Sequence, residues 1–394
     1  MKAVILAAGK STRTYPLTLT TPKPLLKVAG KTLLEHNLDQ LQGLADEAII
    51  VVGYMKEKIM EAFGAKYKKL RLTYVVQKEQ LGTGDALRQA EPHLDGRFLM
   101  IQADDLHDAD ELRECLRHPN SIMGIKVDDI SAFGALVVKK GKLAEIVEKP
   151  KTHVSDYANC GCYVLEKGFF KHLDKIKKSA RGEYEVTDAL TGYAKENEVF
   201  FVESKNWMTI TYPWSLLDAN QKLLSKIKGR NEGTVEPHVT IKGEVIIGKG
   251  TVVKSGSYIE GPVIIGKNCE IGPFAHLRPD TFIDDNCRIG KTEVVDCIIM
   301  ANTTAKHFGY LGHSVIGGNC NIGAGTITAD YRHDGKNHMT LVNGQKVDSG
   351  RRKLGAFMGD NVKTGIHTSI YPGRKIWPNL GTLPGEIVTA DKVE

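Results

Sequence analysis

The stretch Val245–Gly272, VIIGKGTVVKSGSYIEGPVIIGKNCEIG, decides the fold of the C-terminal part of this chain. An aliphatic residue returns at every sixth position, and glycine often follows it directly, as at Gly248, Gly266 and Gly272. Neither the helical period of about 3.6 residues nor the two-residue period of a strand generates this rhythm. A fixed six-residue repeat predicts a parallel β-helix in which each unit forms one short side of a coil.

The repeat extends well beyond this stretch in both directions. Three units make one turn, so residues 18 apart are expected to stack, Cys269 and Cys287 among them, as buried neighbours and not as a disulfide. The rhythm breaks over residues 301–315 and 328–355, and long interruptions of a repeat are usually functional or disordered. Hexapeptide coils wind left-handed, which predicts an all-β left-handed parallel β-helix over residues 230–394. The aliphatic positions in register are Val235, Ile241, Ile247, Val253, Ile259, Ile265, Ile271, Leu277, Ile283, Ile289 and Val295, followed by Ile316, Ile322, Met358, Thr364, Ile370 and Ile376.

Residues 1–229 follow a different rhythm, in which short apolar runs alternate with amphipathic stretches. Ala3–Gly9, Glu47–Tyr54 and Arg97–Asp105 are predicted strands, and Thr32–Leu44 is a predicted helix. Strands separated by helices indicate βαβ units, a mainly parallel sheet and a Rossmann-like α/β domain. Ligands of such sheets gather at the carboxyl ends of the strands.

Composition excludes several classes of protein. The chain has 394 residues, 41% hydrophobic and 25% charged, with a net charge of +6, which is ordinary for a soluble protein of two or three domains. No apolar run approaches the ~20 residues of a membrane span, and we expect neither a secretory signal nor a membrane partner. No concentrated basic stripe predicts nucleic-acid binding. Seven cysteines without metal-type spacing fit a reducing cytoplasm, and Cys160 and Cys162 are predicted to be buried thiols in preference to half a zinc site.

The turn after the first predicted strand is a candidate phosphate site. Leu6–Leu26 reads LAAGKSTRTYPLTLTTPKPLL, with small residues at the strand end, then Arg13 and Lys23. Small residues let backbone N–H groups approach phosphates closely, and the two cations would neutralise triphosphate charge. The string is neither a GxxxxGK loop nor a complete GxGxxG fingerprint, so on the glycine alone an ordinary strand–helix turn is the better explanation.

The whole string resembles the signature of the sugar-1-phosphate nucleotidyltransferases, LAAGxGTR followed by PK, with Ser11 in place of the second glycine. Further similar segments follow in the same order: VVQKEQLGTGDAL, IQADD, FGALVV, IVEKP and ANCGCYV. The resemblance implies metal binding by Asp104. It implies nucleotide contacts for Leu6, Ala8, Gly9, Gln77, Gly82 and Thr83, and sugar-phosphate contacts for Gly134, Glu148 and Asn159.

The resemblance also implies a reaction. An oxygen of a sugar-1-phosphate attacks the α-phosphorus of UTP or dTTP and releases pyrophosphate, with Arg13 and Lys23 as the catalytic cations. Catalysis by positioning and charge neutralisation needs no nucleophilic side chain, and Mg²⁺ on Asp104 is the expected cofactor. Relatives often have a second metal aspartate in a W-x-D-x-G segment, where WMTITYPW places Thr209. A hydroxyl supplies no charge, so the second ligand stays open.

Three strings in the repeat region, IGPFAHLRP, AKHFGYLGHS and NIGAGTITADY, are similar to the acetyltransferase domain of bifunctional sugar-1-phosphate uridylyltransferases/acetyltransferases. Histidine titrates near neutral pH and suits an amine that must lose a proton as it attacks a thioester. The resemblance implies His307 as general base, Arg278 and Lys336 as phosphate contacts, Tyr310 and Asn321 as positioning groups, and Ala324 near acetyl-CoA.

Two features of this region depart from that family or leave alternatives open. Asp330 stands where the family usually has asparagine, which predicts either attraction of an amino sugar's ammonium or an altered choice of acceptor. The segment that contains Arg351, Arg352 and Lys353 resembles the corresponding segment of archaeal relatives. These three residues are either contacts for the phosphates of CoA or a solvated basic turn.

Together these features predict a cytoplasmic bifunctional enzyme of UDP-N-acetylglucosamine synthesis, with residues 1–229 for nucleotidyl transfer and residues 230–394 for acetyl transfer. It would act on small molecules and form a homotrimer, because the flat faces of such coils suit closed cyclic symmetry. Two alternatives are a single-activity hexose-1-phosphate thymidylyl- or uridylyltransferase with a structural β-helix, and a regulatory subunit. The nucleotide and the sugar phosphate both stay open.

Overall fold

The computed structural model describes all residues, Met1–Glu394. The chain divides by its internal contacts into two units, Met1–Lys10 with Leu33–Thr209 and Ser11–Thr32 with Ile210–Glu394. The boundary expected between residues 229 and 230 therefore lies inside the second unit. None of the helices combines the length and the apolar character that crossing a membrane requires.

A ten-stranded sheet forms the centre of the first unit. The three predicted strands and Leu70–Val76 are parallel, because helical crossovers connect them. Most remaining pairs are antiparallel, so the sheet is mixed, and the expectation of a mainly parallel sheet holds only for this half. In order across the sheet the strands are Gly134–Lys139, Lys142–Glu148, Phe200–Ser204, Ser121–Lys126, Tyr157–Leu165, Phe98–Gln102, Lys2–Ala7, Glu47–Val52, Leu70–Val76 and Lys66–Tyr67.

Helices cover this sheet, and they are one to two turns long. The α-helices are Leu33–Gln40, Lys56–Phe63, Thr83–Ala90, Ala109–Cys115, Phe170–Leu173 and Val186–Tyr193, with 3₁₀ turns at Glu91–His93 and Lys167–Phe169. A separate two-stranded ladder pairs Asp105–Leu106 with Met208–Thr209. The predicted strands and the predicted helix are confirmed, and their ends differ from the expected bounds by up to four residues.

Three parallel sheets run through the second unit, and the chain visits them in turn. This arrangement is consistent with a β-helix. The first sheet contains Arg230–Asn231, Val245–Ile247, Val263–Ile265, Thr281–Ile283, Ile298–Ile299, Val315–Ile316, Phe357–Met358 and Lys375–Ile376. The second contains Thr234–Val235, Val252–Val253, Glu270–Ile271, Arg288–Ile289 and Thr304–Ala305. The third contains Thr240–Lys242, Tyr258–Glu260, His276–Leu277, Glu293–Val295, Tyr310–Gly312, Ile327–Thr328, Ser369–Ile370 and Ile387–Val388.

The length of the turn changes along this unit. Ile265 lies opposite Ile283, as three full repeat units require, but Ile283 lies opposite Ile299 and not opposite Ala301, where three further units would end. Leu277 pairs with Val294, so Val294 is fully buried and the expected inward residue Val295 is not. Residues 301–315 are therefore no interruption of the coil: their strands continue the ladders after a slightly shortened turn.

The interior of the second unit is a column of aliphatic and small residues, nearly all fully buried. Burying each isoleucine or valine contributes about 1.5–3 kcal/mol, and the repeat supplies one such residue per side. Cys269 and Cys287 are free, buried thiols within this column. Cys160 and Cys162 are likewise free and buried in the first unit.

Asparagine marks one corner of the coil. These residues adopt left-handed backbone conformations, which asparagine tolerates better than most residues. Their spacing is uneven because it follows the varying length of the turn and, once, spans the insertion described below. They are Asn268, Asn286, Asn302, Asn319, Asn361 and Asn379.

The remaining elements of the second unit are outside the coil. The third sheet continues at Ile327–Thr328 and the first resumes at Phe357–Met358, and the residues between these two strands form an insertion. It contains the hairpin of Met339–Val342 with Gln345–Asp348. The helix Ser215–Leu224 precedes the coil. Segment Ser11–Thr32 contains three 3₁₀ turns, Thr12–Thr14, Leu17–Leu19 and Lys23–Leu25, and the short hairpin of Lys27–Val28 with Lys31–Thr32.

Candidate active sites

In the first unit, the strand Lys2–Ala7 ends against a second backbone segment. The amide of Tyr54 donates to the carbonyl of Ala8 at 3.1 Å. A Cβ on Gly53 would lie 2.8 Å from the same oxygen, so only glycine fits there. Leu6 and Ala8 are buried, whereas Gly9 is exposed and has open space where a side chain would be. The turn therefore leaves room for a ligand beside the backbone of Gly9.

Hydrogen bonds between its own residues stabilise the segment that is predicted to contact the base. Gln77 is buried, and its amide donates to the carbonyl of Gly82 at 3.0 Å and to the Asp85 carboxylate at 2.9 Å. Gly82 has φ +103°, and a Cβ there would lie 2.5 Å from the carbonyl oxygen of Tyr184. The Thr83 hydroxyl accepts from the amide of Val186 at 3.2 Å. The structure thus brings the three predicted residues together at the start of one helix.

The predicted sugar-phosphate contacts also converge. Gly134 lies opposite Glu148 in an antiparallel ladder, where a Cβ on Gly134 would be 3.0 Å from the Glu148 carboxylate. The amide of Asn159 donates to the Tyr163 hydroxyl at 2.7 Å. Arg181, which the sequence analysis did not single out, lies 3.3 Å from Glu148. Burial lowers the pKa of its guanidinium, but the surrounding carboxylates raise it by more, so the net pKa is raised.

Asp104 follows the strand Phe98–Gln102 and is half-buried. The next residue, Asp105, pairs with Thr209 in the two-stranded ladder, so the threonine at the expected second-ligand position lies beside the Asp104 segment. No three His, Cys, Asp or Glu side chains are grouped to hold a metal ion by themselves. His107 is buried nearby, and burial lowers its pKa to about 4.

Arg13 and Lys23 belong to the second unit by their contacts. Ser11, where relatives have glycine, has φ 54° and ψ 51°, so the conformation is left-handed although the residue is not glycine. The carbonyl of Ser11 accepts from the Thr18 hydroxyl at 2.8 Å and from the amide of Thr14 at 3.1 Å. Arg13 is exposed, and Lys23 is buried.

The predicted acetyl-transfer residues lie on successive coils of the second unit. The Thr292 hydroxyl donates to the carbonyl of His307 at 2.5 Å, and the His307 imidazole is exposed. The amide of Gly325, next to Ala324, donates to the carbonyl of Phe308 at 2.7 Å. His307 and Ala324 therefore lie at stacked corners of adjacent turns.

Tyr310 belongs to a cluster of buried polar side chains that the sequence analysis did not predict. Its hydroxyl donates to the Asp330 carboxylate at 2.6 Å, and burial raises its pKa. His313 lies between two acids: its Nδ1 is 2.8 Å from Asp296 and its Nε2 is 3.4 Å from Asp330. Asp330 is only 13% exposed, and its carboxylate faces Tyr310 and His313. We call Tyr310, Asp330, His313 and Asp296 the buried cluster.

The other predicted residues are dispersed around this region. Arg278 donates to Glu293 at 2.8 Å, and Glu293 lies opposite Tyr310 in the ladder. Asn321 is exposed, and its backbone forms isolated parallel β-bridges with Thr304 and Lys363 of the neighbouring turns. Lys336 is exposed in the insertion. No contact joins Lys336 to Arg278, the other predicted phosphate group.

Arg351 differs from the expectation for CoA phosphates. It is ion-paired with Asp296 and with Asp218, and its side chain is only 13% exposed. Burial raises the pKa of Asp218, an effect that Arg351 opposes. Its guanidinium is therefore part of a partly buried ion-pair network, which neither of the two expectations includes. Arg352 and Lys353 remain exposed.

Comparisons with known proteins agree with both halves of this description. Residues 2–226 match the nucleotidyl transferase family, and residues 259–371 match the GMPPB C-terminal domain. A solved UDP-glucose pyrophosphorylase complexed with UDP-glucose is 24% identical, with a TM-score of 0.53 over 57% of this chain and 99% of its own, which shows the fold of the N-terminal part. The chain is thus a nucleotidyltransferase-fold protein with a C-terminal region of parallel strands.

Full-length relatives define the family more narrowly. The bifunctional protein GlmU of Methanococcus maripaludis (strain C7) is 45% identical over 96% of this chain and 92% of its own length. That of Methanocaldococcus jannaschii is 41% identical over the same shares. A bifunctional sugar-1-phosphate nucleotidylyltransferase/acetyltransferase of Sulfurisphaera tokodaii is 40% identical over 99% of this chain and 98% of its own. The chain belongs to this family of bifunctional enzymes.

Proposed function

We propose that this chain makes UDP-N-acetylglucosamine in two steps. It acetylates glucosamine-1-phosphate with acetyl-CoA, and it transfers the uridylyl group of UTP to the product with release of pyrophosphate. Residues 1–229 carry the second reaction and residues 230–394 the first. The observation that supports this most strongly is the similarity to bifunctional relatives over 96% of the chain.

For uridylyl transfer, the residues of the chain bind and neutralise. Gln77, Gly82 and Thr83 would hold the base, and Gly134, Glu148 and Asn159 the sugar. Arg13 and Lys23 would neutralise the charge that develops on the triphosphate. An attack by a phosphate oxygen needs no protein nucleophile, so orientation and charge account for the rate.

Asp104 would hold Mg²⁺, together with phosphate oxygens of the substrate. Its surroundings fit a hard cation, because Asp105 and Thr209 beside it also offer oxygen and no thiolate lies in this ladder. Bound Mg²⁺ supplies positive charge at the phosphates. Thr209 would act through hydrogen bonding, since its hydroxyl carries no charge.

For acetyl transfer, the exposed His307 would accept the proton of the attacking amine. Tyr310 is oriented by its hydrogen bond to Asp330, and the buried cluster fixes that carboxylate in place. Arg278 and Lys336 would bind the sugar phosphate, Asn321 would position the acceptor, and Ala324 would lie near acetyl-CoA. The Asp330 carboxylate orients Tyr310 instead of binding the amine itself.

The support would be a left-handed β-helix that assembles as a homotrimer in the cytoplasm. Apolar side chains are exposed along the second unit, and a second copy would cover them. Leu383 is 74% exposed, and Phe274 is 63% exposed. Seven free, buried thiols suit a reducing compartment.

One incubation tests both activities. Purified protein is mixed with acetyl-CoA, Mg²⁺, UTP or dTTP, and a panel of glucose, glucosamine and galactosamine 1-phosphates, and the products are identified by mass. We expect N-acetylglucosamine-1-phosphate from the first step and UDP-N-acetylglucosamine from the two together. A nucleotide sugar formed without any acetylated product would instead leave only a nucleotidyltransferase.

A further inference from the structure

Segment Ser11–Thr32 carries both catalytic cations of the proposed nucleotidyl transfer, and it is attached to the coils of the second unit. Its contacts include those of Thr12 with Asn343 of the inserted hairpin at 3.1 Å and of Tyr15 with the ring of Trp377 at 6.5 Å between centroids. Thr20 and Thr21 contact Asp360 at 2.7 and 3.4 Å, and Lys27 contacts Asp284 at 2.9 Å.

We expect the contacts made by the carboxylates of Asp284 and Asp360 to be the strongest of these. Lys27 Nζ lies 3.0 and 2.9 Å from the two oxygens of Asp284, whose side chain is only 7% exposed. One oxygen of Asp360 accepts from Thr20 and the other accepts from the amide of Gly318, so the acid links the segment to the coil. Hydrogen bonds to a charged partner are roughly twice as strong as those between neutral groups.

Apolar packing alone does not hold the segment. A cavity of about 250 Å³ lies between it and the coil, lined on one side by Leu17 and Leu25 and on the other by Met300 and Asn319. Asp284 and Asp360 also line this cavity. Because the apolar surfaces are not in full contact there, the polar contacts of the two carboxylates add to the buried apolar side chains in holding the segment. Lys23 is enclosed in sequence between the two attachment points, Thr20 and Lys27.

We propose that Asp284 and Asp360 of the coil are positioning residues for nucleotidyl transfer. They hold the segment so that Arg13 and Lys23 present their charges in the geometry that the reaction requires. The inference rests on the proposed function of Arg13 and Lys23. It means that the repeat region, which carries the acetyl-transfer residues, also takes part in the other reaction.

The test uses full-length Asp284→Asn and Asp360→Asn. Because misplacement by about 1 Å can reduce a rate on the order of 10²-fold, we expect kcat for pyrophosphate release to fall about 10-fold or more, with a smaller change in KM for the sugar phosphate. Acetyl transfer, measured as thiol release, should stay within about twofold. Trypsin should cleave after Arg13 several-fold faster than in the unmodified protein.

Two further variants keep the result interpretable. Asp285→Asn is the matched control, because its carboxylate accepts only the amide of Lys267 within the coil. Lys27→Met breaks the same ion pair from the segment side and leaves the coil intact, so it should reproduce the effect of Asp284→Asn. Exchanging the charges in Lys27→Asp/Asp284→Lys should restore much of the lost rate relative to Asp284→Lys alone.

Some results would overturn the inference. Unchanged kcat in both Asp284→Asn and Asp360→Asn would do so even if trypsin cleaved faster, and so would an equal fall in Asp285→Asn. If acetyl transfer fell as much as pyrophosphate release, the carboxylates would be general supports of the coil. If the unmodified protein used neither UTP nor dTTP, the proposed function would fail, while the trypsin comparison would still show whether the carboxylates hold the segment.

Discussion

His313 shows how much the meaning of a single residue depends on its neighbours. In the sequence it is one of 13 histidines, in a string whose other histidine, His307, attracts attention as a base. In the structure His313 is buried between Asp296 and Asp330, and His307 is exposed. A buried imidazole that is hydrogen-bonded to Asp296 holds its neighbours in place, whereas an exposed one can accept a proton from a substrate.

Replacement of His307 by alanine should therefore separate the two activities. We expect acetyl transfer to fall on the order of 10²–10⁴-fold, because the general base is lost, while uridylyl transfer to N-acetylglucosamine-1-phosphate stays near normal. Thiol release and pyrophosphate release measure the two rates. His238→Asn, an exposed histidine outside the site whose left-handed conformation asparagine tolerates, is the control. Equal loss of both activities in a folded His307→Ala protein would contradict the assignment of separate sites.

The charge at the metal site makes a second prediction at this scale. Asp104→Asn should abolish most pyrophosphate release, because the principal carboxylate for Mg²⁺ is lost. Thr209→Ala should reduce it much less, since a neutral hydroxyl stabilises little of the developing charge. The measurement is pyrophosphate release across a range of Mg²⁺ concentrations. Similar losses in the two variants would show that Thr209 is in fact a principal ligand.

At the scale of elements, the turn after the first strand contains a conformation that its residue type disfavours. Ser11 lies in the left-handed region, which costs an L-residue about 1–2 kcal/mol, and glycine avoids this at an entropic cost of about 0.5–1 kcal/mol. Ser11→Gly should therefore raise the free energy of unfolding by up to about 1 kcal/mol and leave pyrophosphate release unchanged. Ser11→Val should lower both. Calorimetry checks the first effect, and a destabilised Ser11→Gly would contradict the backbone assignment.

The insertion between the coils should respond to pH. His338 bonds to the carbonyl of Asp330 at 2.9 Å, and burial lowers its pKa below 6.5. A base with a lowered pKa in the folded state contributes stability above pH 6.5, and that contribution is lost as the pH falls further. Thermal unfolding between pH 7.5 and 5 should therefore show a steeper loss of stability than in His338→Asn, whose amide stays neutral. Parallel pH profiles would refute this prediction.

For the whole molecule, the exposed apolar side chains of the second unit predict assembly. Sedimentation should give three times the chain mass of 43.3 kDa. Leu383→Asp should shift the protein toward monomer, because it places a charge in the proposed contact, while Val154→Asp, an exposed apolar residue of the first unit, should not. A monomer with full acetyl-transfer activity would contradict the trimer.

The division of the molecule differs from the division of its motifs. The nucleotide signature is continuous in sequence, yet its strand and first glycine belong to one unit and Arg13 and Lys23 to the other. A boundary at residue 230 is visible in the change of period, but contacts across 257 and 340 positions, from Lys27 to Asp284 and from Thr20 to Asp360, are not. Assigning one reaction to each half of the chain therefore does not make the halves independent.

The sequence by itself determined the two architectures, because each has a local sequence pattern. The coils have a six-residue repeat, and the sheet has alternating strand and helix patterns. It also determined the family, whose motifs are short and continuous. The length of each turn was left to the tertiary structure, since the coil shortens only where its ladders demand it, and Val294 replaces Val295 in the core. The buried cluster and the attachment of segment Ser11–Thr32 depend on that packing, because they join side chains that are distant in sequence and carry no local pattern.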